Sequence, residues 1–90
     1  MSEVEINSQK IRDFLSEKIR EKQRVSTGID ITDETLLVDV QLNSLKAMMI
    51  ISSLKIIAPL NYQKALGKVR PMRTFGDMHY NSCALCGVDE

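Results

Sequence analysis

Ser44 lies in the stretch Asn43-Ser44-Leu45, between a polar-punctuated loop and an apolar run. A serine at a helix N-terminus presents its hydroxyl to solvent, beside unpaired backbone N–H groups and the positive end of the dipole. That setting suits a phosphodiester on the serine oxygen. Lys46, within the same first turn, adds Coulomb attraction for a phosphate, worth about 0–1 kcal/mol for an exposed pair. The plainer role for Ser44 or Asn43 is a helix cap, and residue type alone leaves both roles open.

The second cluster is Cys83-x-x-Cys86, with His79 four residues before it. The spacing fits metal or redox chemistry, but the three side chains fall one short of a structural zinc set. No βαβ context surrounds the pair, so a thioredoxin-like role is unsupported and two ordinary thiols in a tail are the expectation. There is no Gly-rich phosphate loop, and His79 lacks the local signature of a nucleophilic triad. Neither a catalytic residue nor a metal site is expected.

Periodicity indicates the elements that position these residues. From Asn7 to about Gln23, Ile11, Leu15 and Ile19 recur every four positions with Phe14 beside them, which predicts an amphipathic helix capped by Asn7 or Ser8. Glu17, Glu21, Lys18 and Lys22 form its solvated face. Val25 to Asn43 reads as a long loop whose interspersed Ile31, Leu36, Leu37, Val38 and Val40 should pin it to the core. Alternation over Gly28–Thr32 allows a short strand, for which no partner is evident. Ser44 to about Ile57 predicts a second helix, apolar around most of its axis. In a chain this small, one face should stay outside the core, leaving an aliphatic and Met-rich strip next to Ser44. A homodimer seam and a fully buried central helix are the alternatives. Pro59 ends the helix. Tyr62 to Val69 forms a short turn of helix before Pro71. Thr74-Phe75-Gly76-Asp77 has capping-box spacing, with Asp in place of Glu, and opens a final helix through about Tyr80. The ordered core is expected over 7–80, with a flexible tail over 81–90.

Ninety residues suit one domain and one core. The 43% apolar and 27% charged residues are a globular composition, and only 4% aromatics against abundant Ile, Leu and Met favour an all-α bundle. Net charge is zero but uneven: −3 over residues 1–39, +6 over 40–76 and −3 over 77–90. The middle stretch contains no acid. Its six Lys and Arg form no dense run, and few aromatics are available for stacking, so nucleic acid is not the expected partner. The acidic start Ser2-Glu3-Val4-Glu5 is no secretory signal, and no apolar run reaches spanning length. A cytoplasmic, monomeric chain is expected.

The run Asp33-Glu34-Thr35-Leu36-Leu37-Val38-Asp39-Val40-Gln41-Leu42-Asn43-Ser44-Leu45, the apolar helix after it and the late Thr74-Phe75-Gly76-Asp77-Met78 resemble the acyl carrier protein family over roughly residues 7–80. Members of that family have a loop ending in Asp-Ser-Leu at the start of the second helix. The resemblance implies a bundle of three main helices plus a short one, with no catalysis of its own. It implies that Ser44 receives a 4′-phosphopantetheine arm from coenzyme A, with Leu45 as the following leucine. The implied partners are a phosphopantetheinyl transferase and the acyl-loading and acyl-transfer enzymes of fatty acid, polyketide or specialised biosynthesis.

Asn43 stands where the family usually has aspartate, and the stretch from Ser44 to Thr74 is a few residues longer than its norm. The glycine pair of peptidyl carriers is absent. Docking is expected at Asn43, Leu45, Lys46, Met48 and Met49. With no acid on this helix, the expected partners have a less basic, or even acidic, contact surface. An unmodified helical scaffold shares the packing features, and a third class, a metal-dependent regulator built on His79, Cys83 and Cys86, predicts stoichiometric zinc and loss of folding with chelator.

Overall fold

The computed structural model describes residues 6–23 and 30–88. Among them, the α-helices are α1 (Ser8–Gln23), α2 (Ser44–Ser52), α3 (Tyr62–Ala65) and α4 (Phe75–Cys86). Single 3₁₀ turns cover Leu37–Val40 and Ser53–Ile56, and no strand forms among the described residues. The molecule is an all-α bundle of three main helices and one short one. The strand considered at Gly28–Thr32 lies partly outside the described residues, and Asp30 to Thr32, which are described, form no strand.

α1 begins where its cap requires, the Asn7 side chain accepting from Lys10 N at 2.9 Å. Ile11, Leu15 and Ile19 are completely buried, while Phe14 packs on the core margin with the Lys18 ammonium over its ring. The loop before α2 sends Leu37, Val40 and Leu42 into the same core. Leu36 and Val38 stay exposed, so only part of the loop's apolar set anchors it.

That loop is sewn to the start of α4. Leu36 and Thr74 form an antiparallel bridge, with Leu37 N donating to Arg73 O at 2.9 Å and Phe75 N to Thr35 O at 2.8 Å. Gly76 N donates to Asp33 O at 3.0 Å. A Cβ on Gly76 would lie 2.9 Å from that carbonyl, so the close approach requires glycine. Arg12 pairs with Asp33 and lies over the Phe75 ring, tying α1 to the same junction.

α2 buries Ala47, Ile50 and Ile51, and the following turn buries Leu54. Its opposite face is open, which excludes a fully buried central helix. α3 stops at Ala65, short of the expected Val69, and the chain reverses through Gly67 at φ 82°.

The largest difference from expectation is the length of α4. It continues past Tyr80 to Cys86, and Asn81, Ser82, Cys83 and Leu85 are buried rather than in a flexible tail. Two observations account for this. Gly87 takes a left-handed conformation, with Gly87 N donating to Ala84 O and Val88 N to Cys83 O, a Schellman ending. The polar residues also find internal partners. The Asn81 amide donates to Arg70 O at 2.8 Å and accepts from Arg70 N at 3.0 Å, and the Ser82 hydroxyl donates to Met78 O. His79 Nε2 lies 2.9 Å from Ser8 O and 3.1 Å from Ser8 Oγ, linking α4 to the start of α1.

The Thr74–Asp77 capping box is present as its spacing predicts. Burial raises the Asp77 carboxyl, but backbone hydrogen bonds from Arg73 and Thr74, the Thr74 side chain and the Arg70 charge outweigh it, and the net shift is downward. A depressed folded-state pKa contributes stability above the unfolded value of about 3.9, and this is lost as pH falls through the folded value. Asp77→Asn should therefore be less stable than the parent at neutral pH, with the gap closing below about pH 4 in denaturant titrations. Asn81→Ala leaves the Arg70 backbone pair without partners and should cost about 1–3 kcal/mol, measured by urea unfolding.

Candidate functional site

Asn43 adopts an extended conformation and accepts from Lys46 N at 2.8 Å, so it is the cap of α2. Ser44 is the first helical residue; it is exposed, and its hydroxyl has no partner among the described residues. The capping role left open between the two residues therefore belongs to Asn43, and the Ser44 hydroxyl is left to solvent.

Two apolar clefts meet at Ser44. One, of about 400 Å³, lies between α2, α3 and α4; Met48 and Ile51 form one wall, Ala65, Leu66 and Val69 another, and Leu85 the floor. The other, of about 420 Å³, runs under Leu36, Val38 and Leu42 to Arg73. Ser44 and Met72 line both. Two of the polar side chains around the first cleft are engaged elsewhere. Asn81 is bound to the Arg70 backbone, and the Arg70 guanidinium lies 3.8 Å over the Tyr80 ring and 3.6 Å from Asp77.

Of the residues expected to dock partners, Leu45, Lys46 and Met49 face outward, whereas Met48 turns toward the cleft wall and Asn43 is occupied as the cap. Sequence reasoning missed Leu66, Val69, Met72 and Asn81. The apolar spacing from Leu60 to Met72 was the available signal, but it does not show which residues close on α2.

The Cys83–Cys86 region does not assemble a site. Cys83 is buried with its thiol 3.9 Å from Ser8 Oγ, neither cysteine is in a disulfide, and burial pushes the Cys86 thiol up, away from reactive thiolate. No group of three metal-capable side chains forms among the described residues. No described helix is long and apolar enough to cross a membrane.

Comparison with protein-family models, characterised proteins and solved structures found no significant match.

Because Asn43 alone caps α2, Asn43→Ala should cost about 1 kcal/mol in urea unfolding. Ser44→Ala should stay within about 0.5 kcal/mol of the parent.

Proposed function

We propose that this chain is an acyl carrier, taking a 4′-phosphopantetheine arm on Ser44 and presenting acyl thioesters to biosynthetic enzymes. The observation that carries the reading is the situation of Ser44, an exposed serine with an unengaged hydroxyl at the start of α2 and at the shared rim of two apolar clefts.

The residues present suit such a group. A phosphodiester on Ser44 Oγ would meet the positive end of α2, with the cationic Lys46 and Arg73 close in the chain or across the cleft. A cleft of about 400 Å³ falls within the usual size of small-molecule sites, and its walls suit the aliphatic part of a cargo. In loading, Ser44 Oγ forms the new P–O bond with the phosphopantetheinyl phosphorus of coenzyme A. The bond to the adenosine bisphosphate breaks, that group departs with the bonding pair, and the serine proton passes to a base on the transferase. Once attached, the arm supplies the terminal thiol that carries the acyl group. Leu45, Lys46 and Met49 provide outward contacts for the transferase and acyl-transfer enzymes. The same reading puts the protein in the cytoplasm.

Intact mass after incubation with coenzyme A and a broad-specificity phosphopantetheinyl transferase tests the reading. A gain of one phosphopantetheine in the parent and none in Ser44→Ala is expected. No gain in either, with folded helical spectra and a second transferase also failing, would overturn it in favour of an unmodified scaffold.

A further inference from the structure

The exposed face of α2 is a narrow apolar row. Leu45, Met49 and Ile56 are 70%, 65% and 71% exposed. Following α2 at 3.6 residues per turn and the 3₁₀ turn after it at about 3, they fall within about 100° of one another around the axis, opposite the buried Ala47, Ile50, Ile51 and Leu54. The row has the width of an ordinary amphipathic stripe and is about 18 Å long, three turns of helix. Lys46 flanks it on one side near Ser44, and Lys55 flanks it on the other near Ile56. Both lysines are exposed, neither has a salt-bridge partner among the described residues, and residues 40–76 contain no acid to neutralise them.

We infer that this face docks an acidic amphipathic helix of a partner protein, its apolar stripe laid along Leu45, Met49 and Ile56 and its carboxylates reaching Lys46 and Lys55. The width and length of the row match one helical stripe, and charge complementarity selects the sign of the partner. Methionine at the centre of the row adapts to more than one such stripe. A second copy of this chain is disfavoured. A two-fold contact through the row would rim the seam with four lysines and bring no acid from residues 40–76. A flat anionic membrane is disfavoured by Asp39, which is exposed beside Val38 and close in the chain to the Ser44 end of the row. A shaped protein surface can leave that carboxylate in water. The inference deepens the proposed reading, which already gives this face to partner enzymes, by naming the partner's chemistry, while docking itself does not require Ser44 to be modified.

The test uses the full chain and two synthetic three-turn amphipathic helices that share a leucine stripe, one flanked by glutamates and the other by lysines. Binding is followed by anisotropy and mapped by amide chemical shifts. The glutamate helix should bind in a salt-sensitive manner and shift amides from Leu45 to Ile56, while the lysine helix should not. Lys46→Glu with Lys55→Glu should weaken the glutamate helix by roughly fivefold or more, two exposed charge pairs being reversed. Met49→Gln should weaken it without unfolding an exposed position, as checked by circular dichroism. Equal binding of both helices, or shifts away from α2, would overturn the inference. So would concentration-dependent dimerisation through α2, or tighter binding to phosphatidylglycerol vesicles than to the glutamate helix. Loading at Ser44 is read separately by mass, so failure of either idea leaves the other interpretable.

Discussion

The short backbone pairing between residues 33–37 and 73–76 controls most of what is built around it. Its three hydrogen bonds hold the loop before α2 against the start of α4, and the carbonyl of Asp33 approaches so closely that only glycine fits at position 76. Because Phe75 begins α4 there and is fully buried, the same junction aims α4 across α1. It also fixes where the loop delivers Leu42 to the core and Asn43 to the head of α2. The backbone groups are paired as they must be in a partly buried loop, which lets a long segment with little regular structure keep a defined path.

The site inherits its form from a second polar device. Asn81 satisfies both backbone groups of Arg70 from within α4, and Asn61 N donates to Leu85 O at the other end of the same segment. Held at two points, residues 61–72 form a wall facing α2 rather than collapsing onto it, and the apolar space between them remains. The Arg70 side chain, stacked on Tyr80 and near Asp77, is kept out of the cleft, so its lining stays predominantly apolar. Such polar groups are costly to bury singly and are tolerated here because each is fully paired.

Charge is segregated on the same framework. The acids lie in the first loop, on the outer face of α1, in the first turn of α4 and at the ends of the chain, while α2 and the wall opposite it contain only bases. Ser44 therefore sits between a carboxylate-bearing loop and a cationic helix. A phosphate at its hydroxyl and an acidic partner along the helix would meet the same sign of field.

Much of this was legible in the chain itself. The four-residue recurrence of Ile11, Leu15 and Ile19, the Thr74–Asp77 box and the apolar excess on α2 are local patterns, and local patterns directly determine helix position and which face seeks the core. The open strip of α2 followed from counting, since a chain of ninety residues has too little core to surround a helix. The continuation of α4 through Cys86 was not legible, because Asn81 and Ser82 interrupt the apolar pattern. What makes them acceptable in a core is the backbone of Arg70, eleven residues away, and the carbonyl of Met78. Nor could spacing show that Met48 turns into a cleft while Met49 faces water, or that Asn43 takes the cap and frees Ser44. The sequence by itself determined roughly where each helix starts, the Thr74–Asp77 box and the charge map, which depend on neighbours within a turn or two. The tertiary structure alone decided the clefts and the surroundings of the Ser44 hydroxyl, because these depend on side chains from α2, α3 and α4 meeting across long sequence separations.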